Sequence, residues 1–164
     1  MTTTTPPTTP PTTPVLDPRV IALAHYAARA LLERVLARHG VTFQQSVTLR
    51  LAAVAEGPVE RERIAADVVG ALKIDAADAH SVIDELVSAG LLAPHESTHG
   101  SSHESSQVRI TDAGRELFAT TSAETAPLSA RVYAGIPAED LAAAGRVLSL
   151  ITERADAELA ALAK

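Results

Sequence analysis

The chain has 164 residues and a formal net charge of −6, and 46% of its residues are hydrophobic. This composition supports a packed core and excludes a wholly disordered chain. Cysteine is absent, which excludes disulfides, thiolate metal sites and thiol redox chemistry. Aromatic residues make up only 2%, so the core must consist of Ala, Val, Leu and Ile, which suits packed helices. The acidic charge disfavours a nucleic-acid partner, although net charge alone does not decide this point.

Residues 1–16 differ in composition from the rest of the chain. Their run of Thr and Pro, "MTTTTPPTTPPTTP", predicts an extended, polyproline-like tail that packs against nothing. A solvated leader is favoured over a ligand for a proline-binding partner. The sequence contains no apolar run of about 18 residues and no secretory leader, so we expect a soluble, cytoplasmic protein.

Hydrophobic periodicity predicts four helices in the first half of the chain. Asp17-Pro18 is typical of an N-cap followed by Pro at the first helical position, and His39-Gly40 is typical of a helix end. Three shorter helices are predicted at 43–55, 60–72 and 76–89, and the last of them is capped by Asp75 and ended by Gly90.

A hairpin and two longer helices are predicted to follow. The β-like runs "LLAPHE" and "SQVRIT" flank a Ser/His/Gly loop. Thr111-Asp112 begins a fifth helix, which Pro127 is expected to kink or interrupt. After a break at Ile136-Pro137, residues 138–163 form an amphipathic last helix. This order predicts a mainly α fold with a small β-hairpin wing, a winged helix-turn-helix whose second helix is 76–89.

Several short motifs in this order resemble the MarR (multiple-antibiotic-resistance regulator) family. They are Thr42-x-x-Gln45, the pair Ile64-Ala65, the segment Asp84-x-Leu86-x-x-x-Gly90-Leu91, and Ile110-Thr111-x-x-Gly114-Arg115. The resemblance covers about residues 18–162. It implies one domain over 17–164, with a winged helix-turn-helix DNA-binding region at 41–111 and dimerisation helices at 17–40 and 112–164. It also implies a homodimeric transcriptional regulator that binds a pseudo-palindromic operator and is released from it by a small phenolic or carboxylate ligand.

The charge of the predicted DNA-binding region departs from the polar or basic surface that the resemblance implies. Residues 41–110 carry five Lys or Arg and ten Asp or Glu, a net charge of −5. Helix 76–89 is predicted to present Ala77, Ser81, Asp84, Glu85 and Ser88 outward, a face with two carboxylates and no cation. A DNA-binding region of this charge must concentrate its few cations on one side, because phosphate neutralisation supplies much of the affinity.

Candidate DNA contacts follow from the chemistry of the side chains. His80, Ser81 and Ala77 on the second helix are candidates for base contacts. The candidates for phosphate contacts are Arg50, Arg61, Arg63, Arg109 and, in the wing, His99. For residues 60–63, an ordinary solvated helix start is the alternative.

The predicted wing contains the near-repeat "HESTHGSSHESS", with His95, His99 and His103 at four-residue spacing. A solvated wing tip is the favoured interpretation, because a Ser/Gly-rich loop is not preorganised. A pH-dependent wing is one alternative, since free imidazole titrates near pH 6.5. A Zn²⁺ or Ni²⁺ site formed by the three histidines is another, although their spacing is not that of a standard zinc motif.

The remaining candidate site is a ligand pocket. Tyr26, Phe43 and Tyr133 are predicted to line it at the dimer junction, and core packing is the alternative for these residues. No phosphate-binding glycine loop, nucleophile-and-base pair or carboxylate motif is present, so we expect neither catalysis nor a cofactor. The rival to a DNA-binding regulator is a winged-helix scaffold with degenerate DNA binding, which acts as a ligand-binding or protein-interaction module and uses its acidic helix against a basic partner.

Overall fold

The computed structural model describes residues 15–55, 57–95 and 107–162. Within these ranges the helices are α1 (Pro18–Leu36), α2 (Phe43–Val54), α3 (Arg61–Leu72), α4 (Ala76–Ser88), α5 (Asp112–Tyr133) and α6 (Ala138–Leu162). The strands are β1 (Val59–Glu60), β2 (Leu92–His95) and β3 (Gln107–Ile110). None of the helices in the described ranges has the length and hydropathy needed to cross a bilayer. The predicted fold class, mainly α with a small β wing, is confirmed.

The ends of α1 form as the sequence predicts. The Asp17 carboxylate accepts a hydrogen bond from the Val20 N–H at 2.7 Å, and Pro18 occupies the first turn, where its missing N–H costs nothing. A single 3₁₀ turn, Ala37–His39, follows the helix. Gly40 then adopts φ 66°, the left-handed conformation that ends the segment.

The helices of the helix-turn-helix motif, α2, α3 and α4, differ in how their termini are capped. The Thr42 hydroxyl accepts from the Gln45 N–H at 3.1 Å, and the Gln45 carboxamide accepts from the Thr42 N–H at 3.0 Å, which completes a capping box at α2. Asp75 occupies the N-cap position of α4, but its side chain makes no capping hydrogen bond, so the predicted side-chain cap there is wrong. Helix α3 ends at Lys73, which takes the left-handed conformation at φ 55° without being a glycine.

The wing is a three-stranded antiparallel sheet in the order β1-β3-β2. Strands β2 and β3 form the predicted hairpin, with Leu92 opposite Ile110 and His95 opposite Gln107. Strand β1 was not predicted, because its two residues are too short to show a period of two and pass directly into α3. It pairs with β3 through Val59 and Val108.

A single apolar cluster holds α2, α3, α4 and the sheet together. Its buried members are Leu49, Ala52, Ile64, Ala65, Val68, Ala79, Val82, Ile83, Leu86, Leu92, Val108 and Ile110. Four of these residues come from α4 and recur at helical spacing, so the inward face predicted for this helix is confirmed. The cluster fixes α4 on the wing and leaves its opposite face to solvent.

The described residues up to Thr121 form one compact unit, and those from Ser122 onward form a second. The second unit contains the end of α5 and all of α6, and no residue of α6 is buried. Helix α5 continues through Pro127, so an interruption there is wrong, and a kink, the other outcome expected, stays a prediction. Proline has no N–H, so one backbone carbonyl in the preceding turn lacks its helical partner. Pro127 is exposed, and that carbonyl can therefore bond to water.

Candidate nucleic-acid interface

Helix α4 presents a polar face to solvent. Ala77, Ser81, Asp84, Glu85 and Ser88 are all exposed, as the helical projection predicts. His80 lies at the edge of this face and is half-buried. The candidate base contacts therefore lie side by side on one helix, and the two carboxylates lie one turn further along it. The face has donors and acceptors for base edges but no cation of its own.

Arg61 lies at the first position of α3 and reaches across to α4. Its Nη2 is 2.8 Å from Asp84 Oδ1 and donates a hydrogen bond to the His80 backbone carbonyl at 3.3 Å. The Arg61 side chain is only 22% exposed, whereas that of Asp84 is 65% exposed. Arg61 thus differs from the other predicted phosphate contacts, because its side chain is mostly shielded from solvent and its guanidinium contacts a carboxylate and a backbone carbonyl of another helix.

Two further contacts bind polar groups of α4 to neighbouring helices. The Gln45 carboxamide Nε2 donates to Glu85 Oε2 at 2.9 Å, so the same side chain both caps α2 and holds α4. His80 Nε2 lies 3.4 Å from Glu62 Oε2 at the start of α3. Both carboxylates on the outer face of α4 are therefore held in place by side chains from α2 and α3.

The other predicted phosphate contacts lie on three elements. Arg50 on α2 and Arg109 on β3 are exposed. Arg63 on α3 is 75% exposed, and its Nε is 4.0 Å from Asp67 Oδ2 one turn along the same helix. A pair so long and so exposed constrains its arginine weakly. These three guanidinium groups are accessible to a polyanion, and Arg61 is much less so.

The wing histidines are only partly described. His95 is the last residue of β2, opposite Gln107, and is half-buried. His99 and His103 lie outside the described residues, so the structure does not address the proposed DNA contact of His99, the metal site or the pH-dependent wing. Within the ranges 15–55, 57–95 and 107–162, no three potential metal-ligating side chains come together.

The motif that follows the wing has a structural role. The Thr111 hydroxyl donates to the carbonyls of Gly90 and Leu91, at 2.7 and 3.1 Å, and accepts from the Gly114 N–H at 3.0 Å. It therefore caps α5 and ties it to the turn that follows α4. Gly114 is buried where α5 approaches the backbone of Leu91, and a Cβ at this position would collide with the Leu91 carbonyl and with Ile110.

The aromatic residues predicted to line a ligand pocket lie on α1, α2 and α5. Phe43 is half-buried, and the Arg29 guanidinium lies 4.6 Å from its ring centroid. Tyr26 and Tyr133 are 65% and 57% exposed, and they belong to the first and the second compact unit respectively. None of the three side chains is fully buried in the core. The ligand pocket stays a prediction.

The helices α2, α3 and α4, followed by the β2–β3 wing, define this chain as a winged helix-turn-helix protein. The second helix of the motif is α4, whose outer face is exposed. Comparison with solved structures narrows the class to the MarR-type winged-helix fold. A MarR-family transcriptional regulator from Rhodococcus sp. RHA1 is similar over 81% of this chain and 89% of its own, with 18% identity and a TM-score of 0.65. A mutant of MarR from E. coli, solved in complex with operator DNA, is similar over 81% and 91%, with 17% identity and a TM-score of 0.65.

A third solved structure of this fold contains a small ligand. NadR in complex with 4-hydroxyphenylacetate is similar over 89% of this chain and 97% of its own, with 16% identity and a TM-score of 0.64. No protein-family model and no curated protein sequence matches the chain. The likeness to solved structures therefore establishes the fold that the sequence motifs predicted.

The residues that hold α4 do not follow from the sequence motifs. Gln45 belongs to the motif of a helix start, although a glutamine in a capping box has an amide group left over for a second partner. Arg61 is predicted to contact a phosphate, and the structure pairs it with Asp84 instead. Its position at a helix N-terminus, where the helix dipole disfavours a cation, was the available signal that its side chain is engaged elsewhere.

Proposed function

We propose that this protein is a DNA-binding transcriptional regulator of the MarR type. The observation that carries the proposal is the placement of α4, whose apolar face packs against α2, α3 and the wing and whose outer edge presents Ala77, His80 and Ser81. In this role α4 enters the major groove, where His80 and Ser81 contact base edges and the Ala77 methyl group contacts thymine. Arg50, Arg63 and Arg109 contact phosphates. The protein then acts as a binding protein in the cytoplasm rather than as an enzyme.

The proposed active form is a homodimer. Helix α6 leaves Leu141, Leu148, Ile151 and Leu159 between 37% and 52% exposed, and α1 leaves Leu23 57% exposed. Contiguous apolar surface of this kind on terminal helices is typical of an interface between subunits. A twofold dimer presents two copies of α4, so the preferred DNA should contain two inverted half-sites about one helical turn apart.

A small aromatic or carboxylate effector is proposed to control DNA binding. The support is the structural neighbour that contains 4-hydroxyphenylacetate, together with the exposed phenol rings of Tyr26 and Tyr133 and the Arg29 guanidinium over Phe43. Tyr26 and Phe43 offer stacking surfaces, and Arg29, whose Nε is 2.8 Å from Glu33 Oε1 and whose side chain is 45% exposed, offers a cation that an effector carboxylate can share. Isothermal titration with 4-hydroxyphenylacetate tests this proposal, and Arg29→Gln is expected to weaken any binding observed.

The phosphate contacts can be tested on a duplex selected by the wild-type protein from a random pool. The double variant Arg50→Ala/Arg109→Ala should bind this duplex at least about tenfold more weakly, with a salt dependence shallower by about 0.9 per lost contact. Its preference among sequences should be unchanged, because phosphate contacts position the protein without reading bases. Fluorescence anisotropy over a range of salt concentrations measures both quantities.

The control for this experiment is Arg146→Ala, which removes one positive charge from α6. It should leave the salt dependence as in the wild type. Equal losses in the control and the double variant would mean that net charge alone was responsible, and would contradict the assignment of Arg50 and Arg109.

The second candidate function is a protein-interaction module. The exposed carboxylates of Asp84 and Glu85 on α4 favour it, because they would complement a basic partner. The variant Asp84→Asn/Glu85→Gln separates the two candidates. A DNA-binding protein should bind DNA more tightly after this change, whereas a module with a basic partner should lose that partner.

A further inference from the structure

Arg61 and Asp84 form an ion pair between two different helices. The 2.8 Å contact joins the first residue of α3 to the outer face of α4, and the same Nη2 also donates to the His80 carbonyl. One guanidinium group thus binds the side chain and the backbone of α4 within a single helical turn. Such a contact fixes both the position of the helix and the orientation of the Asp84 carboxylate.

The pair also changes the electrostatics of the surface. Asp84 is 65% exposed on the face that is proposed to approach DNA, where an uncompensated carboxylate would be repelled by phosphates. Arg61 is largely buried beneath it and supplies the compensating charge from inside the fold. The pair is thereby neutral toward an approaching polyanion, although it contains a group that on its own would oppose binding.

We infer that Arg61 is a positioning residue, which acts on DNA by orienting and neutralising Asp84 on α4 and makes no phosphate contact of its own. This inference rests on the DNA binding proposed above. It assigns to Arg61 a role different from that of Arg63, two residues further along α3, whose guanidinium is 75% exposed. It also explains how the Asp84 carboxylate on the outer face of α4 is compatible with DNA binding.

Four proteins test the inference: the wild type, Arg61→Met, Asp84→Asn, and the double variant. Met keeps the aliphatic stem and the helical preference of Arg at position 61. On a duplex selected by the wild type, Arg61→Met should weaken binding about tenfold and make the salt dependence shallower, because salt screens the repulsion between the uncompensated Asp84 carboxylate and the phosphates. Asp84→Asn should tighten binding and steepen the salt dependence by about 0.9 per subunit, because Arg61 is then free to reach a phosphate.

The decisive protein is the double variant. It should return to within about twofold of the wild-type affinity, with the wild-type salt dependence, because both members of a neutral pair have been removed. A double variant that stays as weak as Arg61→Met would overturn the inference, since Arg61 would then contact DNA directly or support α4 irrespective of Asp84. Thermal unfolding of all four proteins identifies any loss caused by unfolding.

The pair Arg63 and Asp67 on α3 is the matched control, at 4.0 Å and well exposed. Here Arg63→Met and Arg63→Met/Asp67→Asn should both remain weakened, with a salt dependence shallower by about 0.9 per subunit, because a phosphate contact is lost in each subunit. Rescue in the control pair would also overturn the inference. If the wild type selects no duplex at all, the proposed function fails, whereas binding by the wild type without rescue at Arg61 refutes this inference alone.

Discussion

Replacing Gly114 with alanine is expected to destabilise the winged-helix unit by about 3 kcal/mol. The added Cβ would collide with the Leu91 carbonyl and lie 2.8 Å from Ile110 Cγ1. The carbonyl belongs to the backbone, so the first turn of α5 must move away from the start of β2. This movement would also stretch the hydrogen bonds from Thr111 to Leu91, at 3.1 Å for both the N–H and the hydroxyl. Urea denaturation, monitored by circular dichroism, measures the change in the free energy of unfolding.

Gly70→Ala is the control for this prediction. Gly70 lies within α3, it is exposed, and a Cβ built there meets nothing within 4 Å. Alanine at this position should stabilise the protein by about 0.5–1 kcal/mol, because a helical glycine loses more backbone entropy on folding. Similar destabilisation by both substitutions would show that close packing at Gly114 is not the cause.

The second large effect is expected at the proposed dimer interface. Leu148→Glu places a carboxylate at the centre of the apolar stripe of α6, where Leu148 is 40% exposed in the single subunit. In a twofold dimer the substitution introduces the charge twice. Burying these charges without partners should weaken dimerisation about a hundredfold or more. Sedimentation equilibrium measures the dimer dissociation constant.

Loss of the dimer should also weaken binding to DNA with two half-sites, because each subunit then binds alone. The control is Ala157→Glu, on the same helix but about 180° from Leu148 at about 100° per residue. This variant should remain dimeric and keep its DNA affinity. A wild-type protein that sediments as a monomer would contradict the dimer proposal outright.

Much of the fold was predictable because the local signals agree with one another. The N-cap at Asp17, the capping box of Thr42 and Gln45, and the apolar spacing of α4 each indicate the same helices, and each forms. Strand β1 was not predictable, because two residues are too few to show the alternation of apolar and polar side chains that is typical of a strand. The interruption expected at Pro127 did not occur, because a proline at an exposed position within a long helix leaves its unpaired carbonyl to solvent.

The candidate site was predictable only in part. Side-chain chemistry and helical projection place Ala77, His80 and Ser81 on one accessible edge of α4, and the structure agrees with that placement. The pairing of Arg61 with Asp84 could not be derived in this way, because it depends on the angle between α3 and α4. A count of charges by residue range treats all cations alike, whereas burial and distance separate Arg61 from Arg63.

The central claim is that the surface formed by α4 and the wing binds a specific DNA sequence. The most direct measurement is fluorescence anisotropy of the wild-type protein with the selected duplex and with a scrambled duplex of the same composition, at physiological salt. The account predicts a preference for the selected duplex of at least about a thousandfold. Equal affinity for the two duplexes, or no binding to either, would contradict it.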